Sequence, residues 1–239
     1  MTLKPQRSFE VIVFDWDGTL MDSQGHIVAC LDKALRAVDV EPGPPAELAR
    51  VIGLGLFEAL ATLLPGADNA TVHTACEAFR EEFLSAKPGA STLFPDVETT
   101  LRGLREMGFH LAVATGKSRR GLDKNLAETG LDELFAVTRC ADETASKPHP
   151  QMLEEILVDL DTDPRRAIMI GDTAFDLQMA ANAGMSALGV SYGVHTVAEL
   201  RQHQPLAIMD SVREIGEWFG YSGDPEAGGL VSGSRPSPG

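Results

Sequence analysis

Residues 11–23 read Val-Ile-Val-Phe-Asp15-Trp-Asp17-Gly18-Thr19-Leu-Met-Asp22-Ser23, an apolar strand run that ends in two acids spaced one apart. Alternate residues of a strand share a face, so Asp15 and Asp17 can project together from the end of a buried strand while Trp16 points elsewhere. Two carboxylates held at the rim of an apolar interior resist ionisation unless a cation sits beside them, and the hard, oxygen-seeking Mg²⁺ fits such a pair. The arrangement suits metal-assisted phosphoryl transfer. An Asx-rich turn closing a strand could use the same residues without that chemistry. An EF-hand loop does not fit, because it needs glycine at its sixth position and Gly18 is the fourth residue counted from Asp15.

Related chemistry recurs three times along the chain. Phe109-His-Leu-Ala-Val-Ala-Thr115-Gly116-Lys117 is a second apolar strand, ending in a hydroxyl and a glycine where a side-chain donor and free backbone N–H groups could hold phosphate oxygens. Ser146-Lys147-Pro148 follows, and then Arg166-Ala-Ile-Met-Ile-Gly171-Asp172-Thr173-Ala-Phe-Asp176, a short apolar strand ending in an acid with a second acid one helical turn later. Each segment alone is weak; the four in this order are specific.

On these residues the chain resembles the haloacid dehalogenase superfamily, in the branch similar to phosphoglycolate phosphatases. The matching motifs are Asp15-Trp-Asp17-Gly18-Thr19, Thr115-Gly116, Lys147-Pro148 and Gly171-Asp172-Thr173-Ala-Phe-Asp176, and the likeness runs from about Phe9 to about Trp218. The resemblance implies a Mg²⁺-dependent phosphomonoester hydrolase acting on a small phosphorylated metabolite, 2-phosphoglycolate being the favoured example. Asp15 would be the nucleophile that forms an aspartyl-phosphate, and Asp17 the acid and then base, with a pKa above that of Asp15. Mg²⁺ would be held by the Asp15 and Asp172 carboxylates and the Asp17 main-chain carbonyl, with Asp176 supporting the metal or orienting Lys147. Thr115, Lys147 and the N–H groups near Gly18 and Gly116 would stabilise the phosphoryl oxygens. A sugar phosphomutase could use the same motifs, returning the phosphoryl group to a second hydroxyl. Dehalogenation is disfavoured because Asp17 is present, and a binding protein without catalysis is disfavoured because every catalytic position is filled.

The elements that must position these groups alternate. Strand signals cover 11–14, 110–114, 135–138, 167–170, 186–190 and, more weakly, 206–209; helical patterns cover 97–107, 119–129, 151–160 and 174–183. Glycines 108, 130 and 184 stand where helix ends are expected. The alternation implies an α/β fold with a doubly wound, Rossmann-like parallel sheet, whose ligands bind beyond the carboxyl ends of the strands. Neighbouring first and fourth motif strands would bring Asp15, Asp17 and Asp172 to one metal.

Between the first two motif strands the pattern changes. Residues 22–90 read as helices over 26–38, 46–52, 57–63 and 70–83 with no strand signal, far more chain than the dozen residues a crossover needs. This is an inserted α-helical cap domain, and in the superfamily such a cap closes over the active site. The expected division is therefore core at 1–21, cap at 22–90, core at 91–221 and a disordered tail at 222–239, the tail being rich in Gly, Ser and Pro. Pro88 to Pro95 would form the return hinge. Arg50, followed by Val-Ile-Gly53-Leu-Gly55, is the cap element most similar to the family's specificity loop, and is carried as a candidate substrate contact.

The chain has 239 residues and a formal charge of −15, which would repel nucleic acid and anionic membranes. Lys117, Arg119 and Arg120 form the densest basic run, with Asp123 close behind, and read as a solvated helix start, with phosphate steering as the alternative. Cys30, Cys76 and Cys140 are too few and too scattered for a disulfide framework or a zinc site, and read as buried thiols. With no secretion signal or membrane span evident, the expectation is a cytoplasmic monomer or homodimer. Gly189-Val-Ser191-Tyr-Gly193 matches a nucleophile elbow, but only Glu199 and His203 follow in triad order, too close along one segment. Gly53-Leu-Gly55 lacks both the third glycine and the preceding strand of a dinucleotide fingerprint. The histidines, including His149 and His195, show no metal-ligand pairing.

Overall fold

The computed structural model describes residues 9–86 and 89–223. The tail from residue 224 onward and Pro88 of the expected hinge lie outside the described residues. Eight strands and ten α-helices follow in chain order: β1 (Val11–Phe14), β2 (Met21–Asp22), α1 (Gln24–Arg36), α2 (Pro45–Ala49), α3 (Leu56–Leu63), α4 (Asn69–Ser85), β3 (Thr92–Leu93), α5 (Val97–Glu106), β4 (His110–Thr115), α6 (Arg119–Thr129), β5 (Phe135–Cys140), α7 (Gln151–Asp159), β6 (Ala167–Gly171), α8 (Ala174–Asn182), β7 (Ser186–Val190), α9 (Val197–Arg201), β8 (Ile208–Met209) and α10 (Val212–Phe219).

Six strands form one parallel sheet in the order β5-β4-β1-β6-β7-β8. The chain leaves β1 toward β4 and leaves β6 toward β7, so the strand order reverses between β1 and β6. That reversal opens a crevice at their carboxyl ends. The sheet is buried on both faces, which explains why its strands read as nearly continuous apolar runs rather than alternating ones. Ile12 and Phe14 pack with Leu101, Leu104 and Ile215 of α5 and α10 on one side, while Val11 and Val13 pack with Met152, Ile156 and Met179 of α7 and α8 on the other.

Helices α1 to α4 bury a core of their own, including Leu31, Leu35, Leu60, Val72 and Cys76. This helical insertion leaves and rejoins the sheet through a short antiparallel pair, Met21 opposite Leu93 and Asp22 opposite Thr92. Two-residue strands carry too little periodicity to be seen in sequence, so the expectation of no strand at the start of this stretch needs correcting at Asp22. The expected strand over 206–209 shortens to β8, and the helix over 46–52 to α2, which begins with Pro45 in the first turn where proline is tolerated. The three cysteines are free and buried. No helix among the described residues is long and apolar enough to cross a membrane.

Leu101 is fully buried between the sheet and α10. Leu101→Ala is expected to cost about 2–5 kcal/mol in a denaturant titration, the range for a deleted core leucine. Val158→Ala, at a residue 79% exposed on α7, should move the same midpoint by less than about 0.5 kcal/mol.

Candidate active site

Parallel pairing of β1 with β6 sets the site. The Asp15 N–H donates to the Ile170 carbonyl at 2.9 Å, continuing the ladder one residue past β1, and Asp172 follows directly after Gly171 at the end of β6. Asp15, Asp172 and Asp176 each place a carboxylate oxygen within 4.8 Å of the others, and all three are buried. Among the described residues one ammonium faces them: Lys147 Nζ lies 2.8 Å from Asp15 Oδ1 and 2.6 Å from Asp176 Oδ1.

Each carboxylate is fixed differently. Asp176 Oδ2 accepts from the Thr173 N–H at 3.0 Å and from its hydroxyl at 2.7 Å, forming a capping box at the start of α8. Both of its oxygens are thus taken by Lys147 and Thr173, an arrangement that orients the lysine. Asp172 accepts from the Thr19 hydroxyl at 3.1 Å and from the Val194 N–H at 2.8 Å. Asp15 Oδ1 accepts from the Trp16 N–H at 2.7 Å, whereas Asp15 Oδ2 is buried with no hydrogen-bond partner.

The electrostatics follow from three buried acids meeting one buried base. Burial pushes the Asp15 pKa well above the carboxylate range, partly offset by Lys147 and reinforced by Asp176 and Asp172. Burial, then the Asp176 charge, pushes Asp172 up to about 7. Burial opposes the charge on Lys147, but Asp15 and Asp176 together outweigh it and raise its pKa. The excess negative charge, the orphaned Asp15 Oδ2 and an all-oxygen donor set fit a hard divalent cation such as Mg²⁺.

Asp17 stands apart from this cluster. Its oxygens accept from Lys117 Nζ at 2.7 and 2.9 Å, and Oδ1 also accepts from the Ser23 hydroxyl at 2.6 Å. Thr115, buried at the end of β4, accepts the Lys117 N–H at its hydroxyl at 3.2 Å. Lys117 is only 8% exposed and lies 4.5 Å from the centroid of the Phe83 ring on α4. The reading of 117–120 as a solvated start is therefore corrected at Lys117: the turn after β4 aims it inward, while Arg119 pairs outside with Glu143 and Asp123.

Two other expected contacts are displaced. The Gly18 N–H donates to the Met21 carbonyl at 2.9 Å and is not free for phosphate. Gly18 serves instead as a notch: its φ is +82°, and a Cβ there would stand 2.2 Å from Asp172 Oδ2. Arg50 pairs with Glu199 at 3.0 Å and borders a smaller cavity with Phe175 and His195. It does not line the chamber that Asp15, Asp17, Thr115 and Gly116 line. Sequence reasoning gave no role to Thr19 or Ser23, both within the first quoted motif segment, and weighed Lys117 only as part of a basic run; the Val194 N–H, a backbone donor, has no residue-type signal.

The helical insertion is docked over these groups. The Gly55 N–H donates to Ser146 Oγ at 2.7 Å, and Lys124 of α6 donates to the carbonyls of Leu84, in the last turn of α4, and of Ala86, just after it, at 3.3 and 3.2 Å. A side chain on Gly116 would begin 2.4 Å from the Leu54 carbonyl, so this glycine admits the insertion's backbone.

The family model described as haloacid dehalogenase-like hydrolase matches residues 12–190. The protein named "Probable phosphatase IndB" of Dickeya dadantii is 36% identical over 211 residues, covering 86% of this chain and 91% of that protein. The phosphoglycolate phosphatase of Vibrio vulnificus YJ016 is 29% identical over 220 residues, covering 88% and 96%. In fold, the chain is similar to a haloacid dehalogenase-like family protein of Streptococcus pneumoniae with a TM-score of 0.78 at 23% identity, covering 90% of this chain and 100% of that one.

Two outcomes follow from the carboxylate cluster. Asp172 binds a proton near pH 7 in the folded, cation-free chain and near 3.8 in the unfolded one; hence the cation-free protein gains stability from this group as pH falls from about 8 to about 5. A Mg²⁺ ion held by Asp172 would have to displace that proton, so its apparent affinity in titration calorimetry should be about tenfold higher at about pH 8 than at about pH 6. Equal affinity at both would show that binding displaces no proton from Asp172. Gly18→Ala, which pushes into Asp172, should weaken Mg²⁺ binding by about 10- to 100-fold in the same titration.

Proposed function

The chain belongs to the haloacid dehalogenase-like hydrolases and is a phosphatase, and from that premise we propose that it hydrolyses phosphomonoesters of a small metabolite with Mg²⁺, through an aspartyl-phosphate on Asp15. The observation that carries this reading is the orphaned Asp15 Oδ2, an unpartnered carboxylate oxygen at the mouth of the crevice with Lys147 fixed on its other oxygen. A carboxylate is a weak nucleophile, and it gains from being held in line and desolvated. Bound Mg²⁺, held by the Asp15 and Asp172 carboxylates and the Asp17 main-chain carbonyl, would supply the positive charge that keeps Asp15 ionised and offsets that of the phosphate.

The other residues divide the work. Lys147, oriented by Asp176, and the Thr115 hydroxyl with the N–H near Gly116 receive the phosphoryl oxygens as charge moves onto them. Asp17 protonates the departing alkoxide and later takes a proton from the water that hydrolyses the intermediate. An acid must carry its proton, yet both Asp17 oxygens accept from Lys117 and one of them from Ser23 as well. Movement of Lys117 from Asp17 to the incoming phosphate dianion is the step that frees Asp17 for this role. The docked helices act as a lid that excludes water during the first transfer.

Asp15→Asn keeps the size and burial of the side chain while removing the nucleophile. Phosphate release with Mg²⁺ should fall by at least about 1000-fold, with circular dichroism unchanged. Turnover within about tenfold of wild type would take Asp15 out of this role.

A further inference from the structure

Asp15, Asp17 and Thr115 form one end of a chamber of about 710 Å³ between the helical insertion and the sheet. Much of the rest of its lining is apolar, including Leu31, Ile52, Leu56, Phe79 and Phe83. The Phe79 and Phe83 rings stack with centroids 5.8 Å apart and planes 11° apart, presenting an aromatic wall. The insertion is already docked through Gly55 on Ser146 and Phe83 on Lys117, so this space is not the gap left by a lid swung away. It lies within the size range of sites that enclose drug-sized molecules.

A two-carbon acid such as phosphoglycolate would fill little of this volume, and its carboxylate would need a cation of its own. Of the basic residues that line the chamber, Lys117 is taken by Asp17 and, on the reading above, then by the phosphate itself, Arg80 pairs with Glu77 at 3.2 Å, and Arg120 is turned to solvent. Glu58, Glu77, Glu81 and Asp142 also border the space and would repel a second anion. Arg50, the cation expected from sequence, lines a different cavity.

We propose that the chamber receives the leaving group of the substrate, and that the substrate is the phosphomonoester of a bulky, uncharged, largely apolar alcohol. This rests on the phosphatase reading above. The chemistry keeps its balance: the phosphorus–alkoxide bond breaks as the bond to Asp15 forms, the alkoxide takes the Asp17 proton, and water releases inorganic phosphate. The apolar walls contribute by taking the alcohol out of water, at about a fourfold gain for each methylene buried.

The test measures phosphate release by the Mg²⁺-loaded protein from n-alkyl phosphates, ethyl to octyl, alongside 2-phosphoglycolate. Leaving-group basicity changes little along this series, so chain length reads the chamber. The expected result is a kcat/KM that rises about fourfold per methylene over the first several carbons, with hexyl phosphate above 2-phosphoglycolate. Phe79→Asp, which places a charge on the wall, should lower the hexyl-to-ethyl ratio by at least about tenfold. A flat or falling series with 2-phosphoglycolate the best substrate overturns the proposal and leaves the phosphatase reading standing. No release from any ester by folded protein overturns that reading, and the proposal falls with it.

Discussion

Three buried carboxylates and one buried ammonium meet at the ends of β1 and β6, and the donors around them answer that imbalance. Isolated buried charges are costly, and leaving one unpaired is costlier still. The fold lowers that cost with directed donors: the Thr173 capping box, the Thr19 hydroxyl, the Val194 N–H and the Lys147 bridge each satisfy a named oxygen. One oxygen, on Asp15, is left without a partner, which is what a group meant to meet an incoming cation or electrophile requires. The parallel sheet is the device that brings this about, because the register of β1 against β6 delivers both strand ends to the same height.

The second ion pair has a different logic. Asp17 and Lys117 satisfy each other beside the main cluster, and Lys117 also touches the helical insertion through Phe83. A single side chain therefore couples the state of Asp17 to the seating of the helices above it. The short β2–β3 pair gives those helices a narrow attachment, while Ser146, Lys124 and Glu199 hold them by a few polar contacts rather than a continuous apolar seam. Few polar contacts at the rim and a separate core inside are what allow an element to open without unfolding.

The sheet was legible in the sequence because buried parallel strands leave runs such as Val11–Phe14 that nothing else in the chain imitates, and because glycines mark helix ends. The positions of Asp15, Thr115 and Asp172 at the ends of β1, β4 and β6 were legible for the same reason, since strand ends fix where the next side chain goes; Lys147 lies in the connection between β5 and α7, where only its motif marked it. What was not legible depends on turns and on direction. Lys117 looks like a surface cation because its neighbours Arg119 and Arg120 are; only the turn after β4 decides that it points inward. Gly18 suggests a free backbone donor, but its N–H is spent on Met21, and its value lies in the absence of a side chain. Arg50 shares a loop with residues that reach the chamber, yet the end of α2 turns it toward Glu199.

The phosphoryl end and the leaving-group end of the site are built from different parts of the chain, and this limits what the motifs can say about substrate. Every motif residue lies on the sheet side, where it stabilises charge that develops in the same way for any phosphomonoester. Binding that is equal for all esters cannot discriminate among them, so selectivity has to come from contacts to the variable alcohol. The cavity lining beyond the motifs includes residues of α1, α3 and α4, whose packing is set by the insertion's own core. A chain can therefore keep the phosphoryl-transfer residues while the lining supplied by its insertion varies, and here that lining includes the stacked rings of Phe79 and Phe83.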